Sequence, residues 1–397
     1  MINPPALQLP LPRTCPLNPP PEYARLRVDA PIARVSTPRG DSAWMLTRHA
    51  DIRKALADKR LSADPRTPGY PAYFAGDLAV PPGFFMLMDA PDHPRLKALV
   101  INDFIGKPLE AMRPVMERII DDQIARLLSM TTPVDFIASF ALPVSSGIIC
   151  EVLGVPVEDQ RFVQKCVDTF LDRSQTPEAQ QAAATEVMTY FDRIVTEKEA
   201  SPGDDVIGRL IADPKRRAQL SHDELVGVAA LLLFGAYDTM AQIIGLGTVS
   251  FLRNPSLIER LLGDPDVAST VVDELVRFHS VNHSGIPRVA TVDLEIAGQT
   301  IKAGEGVIAM LSSGNRDETV YDRPDALDIA RQTPDHLGFG HGMHKCIGFH
   351  YARMELLLVF RNLFERIPTL RIAVPIEDLR YRDEMVLYGL RELPVEW

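Results

Sequence analysis

A chain of 397 residues exceeds the roughly 100–200 of a typical domain. Its 46% hydrophobic and 24% charged content is that of a soluble globular protein, which excludes wholesale disorder and a collagen-like fibre. Forty-two basic against 53 acidic residues leave a net charge of −11, a poor basis for binding nucleic acid or an anionic membrane, both of which need positive fields.

In chain order, residues 1–22 hold eight prolines and read as an extended Pro-rich arm over the surface, ahead of a single domain over 23–397. No basic n-region marks a secretion signal. Cys15, Cys150, Cys166 and Cys346 are too scattered for a disulfide framework and fit a reducing cytoplasmic compartment. Asp41–Thr47 predicts a strand, Ala50–Leu56 a short helix, and 64–84 a long Pro/Gly-rich loop. From His93 onward the period is mainly helical. Met112, Val115, Met116, Ile119, Ile120, Ile124 and Leu127 share one helix face over Glu110–Leu128. Residues 286–310 alternate instead, with Ala297-Gly298-Gln299 as a hairpin turn, and a last helix spans Ile347–Ile367. The expected architecture is mainly α with a small β portion.

Ser221-His-Asp-Glu224 forms a capping box that opens a helix to about Arg253, roughly 48 Å long at 1.5 Å per residue. Its longest apolar run, Leu225–Tyr237, falls short of the roughly 18–20 residues that cross a bilayer. From Leu225 to Leu252 the one charged residue is Asp238, and a buried carboxylate is costly unless paired or solvated. Thr239 can turn its hydroxyl to the Gly235 carbonyl. Beside the small Gly235 and Ala236, the acid and the alcohol suit a ligand site with proton transfer. A helix–helix contact with a satisfied Asp is the alternative.

Phe339-Gly-His-Gly342-Met-His344-Lys-Cys346-Ile-Gly348 places a thiol in a glycine-rich loop just ahead of a helix, where orphan amides favour a thiolate. Such a thiolate serves as nucleophile, zinc ligand or axial haem ligand. His341, His344 and Cys346 stand close enough in sequence to suggest zinc, but a structural site wants four ligands and no second cluster follows.

The spacing Phe339-x-x-Gly342-x-His344-x-Cys346-x-Gly348 resembles the haem-binding signature of the cytochrome P-450 family. Glu274-Leu-Val-Arg277 resembles its E-x-x-R motif, and Gly235-Ala-Tyr-Asp238-Thr239 its oxygen-activation motif. Asn315-Arg-Asp and Leu327-Asp-Ile-Ala-Arg331 resemble the segment that supplies a second arginine to the E-x-x-R glutamate. The likeness runs from about residue 20 to the C-terminus, in the manner of the soluble bacterial branch.

The resemblance implies a haem b held between the long central helix and the cysteine loop, with Cys346 as axial iron ligand and Phe339 and Gly348 in the cradle. His93, Lys97, Arg288 and His344 would hold the propionates; Lys97 departs from the usual arginine and lacks its bidentate fork. Asp238 and Thr239 would relay protons for dioxygen activation, though Ala236 and Met240 depart from the motif. Glu274, Arg277 and Arg331 would brace the loop. Phe85, Met86, Met88, Leu233, Phe234, Asn282, His283, Ser284, Ile286 and Val386 would line a largely apolar substrate pocket.

The implied activity is that of a haem-thiolate monooxygenase hydroxylating or otherwise oxidising a small, largely hydrophobic molecule in bacterial secondary metabolism. Oxidative aromatic, C–C or C–N coupling, for example of a cyclic dipeptide, is the alternative on the same site. A non-catalytic haem-binding or zinc-binding protein is the alternative of another class. A ferredoxin and ferredoxin reductase would supply electrons, docking near Lys345 and Arg353.

Overall fold

The computed structural model describes residues 7–71, 80–172, 174–333, 335–383 and 385–397. Part of the 64–84 loop, residues 72–79, lies outside the described residues. Most of the chain is helical, arranged around the central helix His222–Arg253. The capping box is formed: Ser221 Oγ accepts from the Glu224 amide at 3.1 Å, and the Glu224 carboxylate accepts from the Ser221 amide at 2.9 Å. Because that helix is apolar on nearly every side, it packs against neighbours all round, four helices among them. These are Leu142–Leu153, Pro177–Ala200, Val271–His279 and Phe349–Arg366. Among the described residues it is the one helix long and apolar enough to cross a membrane, and 78% of its apolar window is buried inside the protein.

The β portion is a small three-stranded sheet, a hairpin and a six-stranded sheet in the order Leu7–Gln8, Ile32–Ser36, Ser42–Leu46, Gly306–Ala309, Ile286–Ala290, Leu61–Ser62. In the largest of these the strands run side by side in that order. Period-2 alternation divides its side chains between two small cores. Ala43, Met45, Ile308 and Met310 point to one, and Leu46, Val307 and Ala309 to the other. Leu294–Ile296 and Gln299–Ile301 form the expected hairpin, with Ala297 and Gly298 both at positive φ in its turn.

The Pro-rich stretch departs from the expected surface arm. From Leu7 the chain joins the sheet edge, pairing parallel with Val35 and Ser36, and Leu9, Leu11 and Leu17 are buried. Leucines at every second position, 7, 9 and 11, are a strand signal that the prolines obscure. The last helix starts at Phe349 rather than Ile347, so Cys346 stands clear of the helix proper.

Candidate active site

The cysteine loop is built from two short 3-10 turns, Leu337–Phe339 and Gly342–His344, separated by Gly340 at φ +71°. Its backbone is closed on itself by the Cys346 amide, which donates to the Phe339 carbonyl at 2.8 Å. Gly342, at φ +70°, lies so close to the His49–Ala57 helix that a Cβ there would come within 2.5 Å of the Leu56 carbonyl oxygen. Only glycine satisfies both conditions.

Cys346 has exposed surface, yet burial is what governs its acidity, pushing the thiol up. The Gly348 amide, Lys97 and Lys345 pull it down by less. Burial works against the thiolate that the helix start would favour, and the Gly348 amide works for it. Gly348 and, in the central helix, Gly235 have nothing within 4 Å of where a Cβ would stand.

Beside this loop, three expected residues converge. The His93 and His344 rings stand with centroids 4.0 Å apart, and the Nδ1 atom of each is buried without a partner. Burial, then Lys97 and Arg288, hold His93 down to about 4; burial, then Arg288, His93 and Lys97, hold His344 down to about 3. Arg288 is buried and, among the described residues, donates to the Pro287 carbonyl at 2.8 Å and pairs with no carboxylate. Asp89, which acts on His93 and Arg288, is engaged by Ser62 and by the Ala63 amide at 2.9 Å. Unbalanced positive charge with two orphaned imidazole nitrogens is a site that calls for an anion. The propionates of a haem fit it. Lys97 Nζ donates to the Met343 and Lys345 carbonyls at 2.7 Å each.

In the central helix, Thr239 Oγ1 donates to the Gly235 carbonyl at 2.8 Å, as its position predicts, without breaking the helix. Asp238 is 0% exposed but not alone. Its Oδ1 accepts from Arg382 Nη1 at 2.6 Å and from Gln242 Nε2 at 3.0 Å, while Oδ2 has no partner. Arg382 stands 144 residues away in sequence, with no local pattern to reveal it.

Glu274 and Arg277 are both fully buried, with bonds of 2.7 and 2.8 Å between them. Arg331 Nε reaches Glu274 Oε1 at 3.2 Å. Arg277 also donates to the Asn315 and Pro324 carbonyls, and Asn315 Oδ1 accepts from the Leu337 amide at 2.7 Å. The network thus ends on the first turn of the cysteine loop. A surface ion pair would reach nothing.

The residues expected to line a pocket divide. Phe234 meets Phe170 and Phe84 ring to ring at 5.0 and 6.3 Å, two aromatics that no sequence motif singles out. Met88, Asn282, Ile286 and Val386 are half-buried, and Asn282 Oδ1 lacks a partner. Phe85 is buried with its ring 5.8 Å from that of His93. Leu233, at 0% exposed, belongs to the core, and Met86, at 48%, is among the exposed hydrophobics. His283 and Ser284 are buried and bonded to the Met385 and Val386 carbonyls at 2.9 and 3.2 Å. They therefore hold the C-terminal strip in place.

That strip is the tip of a turn opened by the Tyr381–Leu390 bridge. It pairs with Asp172 through Met385 and with the Val281 carbonyl through the Tyr388 amide at 2.8 Å.

Zinc finds no support: among the described residues no three His, Cys, Asp or Glu side chains converge on one point. Arg353 is not free for a partner either, since it pairs bidentately with Asp273 at 2.7 and 2.8 Å. The Lys345 ammonium sits 4.6 Å from the centre of the Phe349 ring.

Comparison with known proteins decides the family. The cytochrome P450 family model matches residues 169–368. Cytochrome P450-SU2 of Streptomyces griseolus is 39% identical over 99% of this chain and 98% of its own. The chain belongs to the cytochrome P450 family. The crystal structure of CYP105P1 in complex with filipin I superposes with a TM-score of 0.93 at 35% identity, over 99% of each chain. That of the mycinamicin VIII C21 methyl hydroxylase of Micromonospora griseorubida, bound to mycinamicin VIII, gives 0.91 at 34%, over 98% of this chain and 100% of the other. This P450 therefore has the helical fold its motifs imply. It is a monooxygenase, an oxidoreductase of the bacterial type, its cofactor is haem b, and it takes electrons from redox partners.

Proposed function

We propose that this P450 inserts one oxygen atom into a C–H bond of a small, largely hydrophobic molecule of bacterial secondary metabolism, with Cys346 as the axial ligand of its haem. The observation that carries the ligand assignment is an exposed thiol two residues from His344, and so next to the anion site that His344 makes with His93 and Arg288. Relatives that are named as hydroxylases, among them the mycinamicin VIII C21 methyl hydroxylase, support hydroxylation over oxidative coupling. A ferredoxin with its reductase would supply the electrons, and with Arg353 committed to Asp273 the docking cation near the loop would be Lys345.

When bound, the haem supplies dioxygen activation, and the chain's own groups hold the cofactor, the substrate and a proton in place around it. His93, His344 and Arg288 orient the cofactor by its carboxylates. Thr239 donates its one proton to the Gly235 carbonyl, so its oxygen is left to accept a hydrogen bond from water. Asp238 Oδ2, buried and unpartnered beside it, is the atom that holds and hands on a proton. Arg382 and Gln242 keep that carboxylate from swinging away. Phe234, Phe84 and Val386 exclude bulk water and receive the apolar substrate.

The test is the absorption of the reduced protein under carbon monoxide. Wild type is expected to show the long-wavelength Soret band of thiolate ligation, and Cys346→Ser to lose it together with turnover. A serine variant that keeps both would overturn the assignment. Product mass separates the outcomes: a gain of one oxygen marks hydroxylation, a loss of two hydrogens marks coupling.

A further inference from the structure

The Asp92–Val100 helix meets the cysteine loop at two points four residues apart, and hence on one helical face. At the first, the His93 ring lies against that of His344. At the second, Lys97 Nζ donates to the carbonyls of Met343 and Lys345, the residues on either side of His344. An ammonium has three donors, and two of them go to backbone here.

The loop needs such a tie. Glycines at 340 and 342 sit at positive φ and another stands at 348, so its own chain resists bending weakly. Its internal backbone closures include the Lys345 amide to the Gly342 carbonyl at 3.1 Å and the Cys346 amide to the Phe339 carbonyl at 2.8 Å. Neither links the 343–346 stretch to another element. Lys97 does, through charge-assisted bonds that exceed neutral ones in strength.

We propose that Lys97 is a positioning residue for Cys346, one that fixes the sulfur by bracing the backbone around it, with any contact to a propionate secondary. The proposal rests on Cys346 being the axial ligand, and the experiment reads the two separately. Lys97→Met, which keeps the stem and removes the donors, and Lys97→Arg, which keeps the charge and has five donors, are compared with wild type as ferric holoenzymes by amide hydrogen exchange. Lys97→Met is expected to speed exchange at the Lys345 and Cys346 amides by about tenfold or more, as loss of two charge-assisted bonds implies. Its reduced carbon monoxide complex is expected to shift toward the shorter-wavelength form. Lys97→Arg is expected to restore both.

Wild-type exchange rates in Lys97→Met would overturn the brace, and faster haem loss with unchanged exchange would reassign Lys97 to the propionates. If Lys97→Met does not retain haem, Lys97→Leu, which likewise has no donor, is read in the same way. Retention of the thiolate band by Cys346→Ser would sink the ligand assignment and leave the exchange result standing.

Discussion

Asp238 has no accessible surface and is the one charged residue of the central helix between Leu225 and Leu252, where Arg382 and Gln242 donate to its Oδ1. Removing one member of a buried ion pair leaves the other uncompensated, which costs about 3–5 kcal/mol, whereas replacing both is far milder. Arg382→Ala is therefore expected to lower the denaturation midpoint sharply and to reduce the product formed per electron pair consumed. Adding Asp238→Asn should recover most of the stability and none of the coupling. A double variant no more stable than Arg382→Ala would contradict the pairing. The sequence shows that Asp238 needs a partner but not which one, because hydrophobic periodicity and caps report only on near neighbours. Lys97 was legible as a cation near the haem, and its use on loop carbonyls was not.

Among the elements, the central helix, the hairpin turn and the cysteine loop were readable because each has a local signature: a capping box, alternation around Ala297-Gly298-Gln299, fixed glycine spacing. The segment from Leu7 was not, since eight prolines masked a short alternation of leucines. Helix-face position also fails to separate Leu233 from Phe234, which are neighbours on a helix buried nearly all round. One contact between elements gives a sharp prediction. At Gly227, near the start of the central helix, a Cβ would come within 1.8 Å of the Pro82 carbonyl oxygen. Gly227→Ala must push the 81–88 segment outward, with a loss of about 1–3 kcal/mol as for other overpacked sites. Thermal denaturation should register that loss, and weaker substrate-induced spectral shifts should accompany it, since Phe84 and Met88 belong to the displaced segment.

For the whole molecule, pH acts on the joint between the Pro177–Ala200 helix and the start of the central helix. His222 lies 3.0 Å from Asp192 Oδ1 by one ring nitrogen and 3.0 Å from Glu199 Oε2 by the other, and Arg217 holds Glu199 at 2.6 Å. Burial alone would lower the His222 pKa, but the two carboxylates outweigh it and raise the value. A raised folded-state pKa stabilises fully below the unfolded value of about 6.5, and the contribution is lost as pH climbs through the folded value. The difference in melting temperature between wild type and His222→Gln should thus be largest near pH 6 and close as the solution becomes alkaline. A difference independent of pH would show that the doubly bonded imidazolium is not the stabilising species. A hollow of about 300 Å³ lined by Pro82, Met188, Thr189, Asp192, Asp223 and Val226 adjoins this joint.

The strip around Met385 to Tyr388 is fastened along both rims, to Asp172 on one side and to Val281, His283 and Ser284 on the other, and at its root by Arg382 to the central helix. A panel bolted in this way cannot breathe one edge at a time. If Val386 lines the substrate pocket as proposed, a bulky guest that displaces the strip would displace Arg382 as well, and with it the partner of the buried carboxylate at its far end.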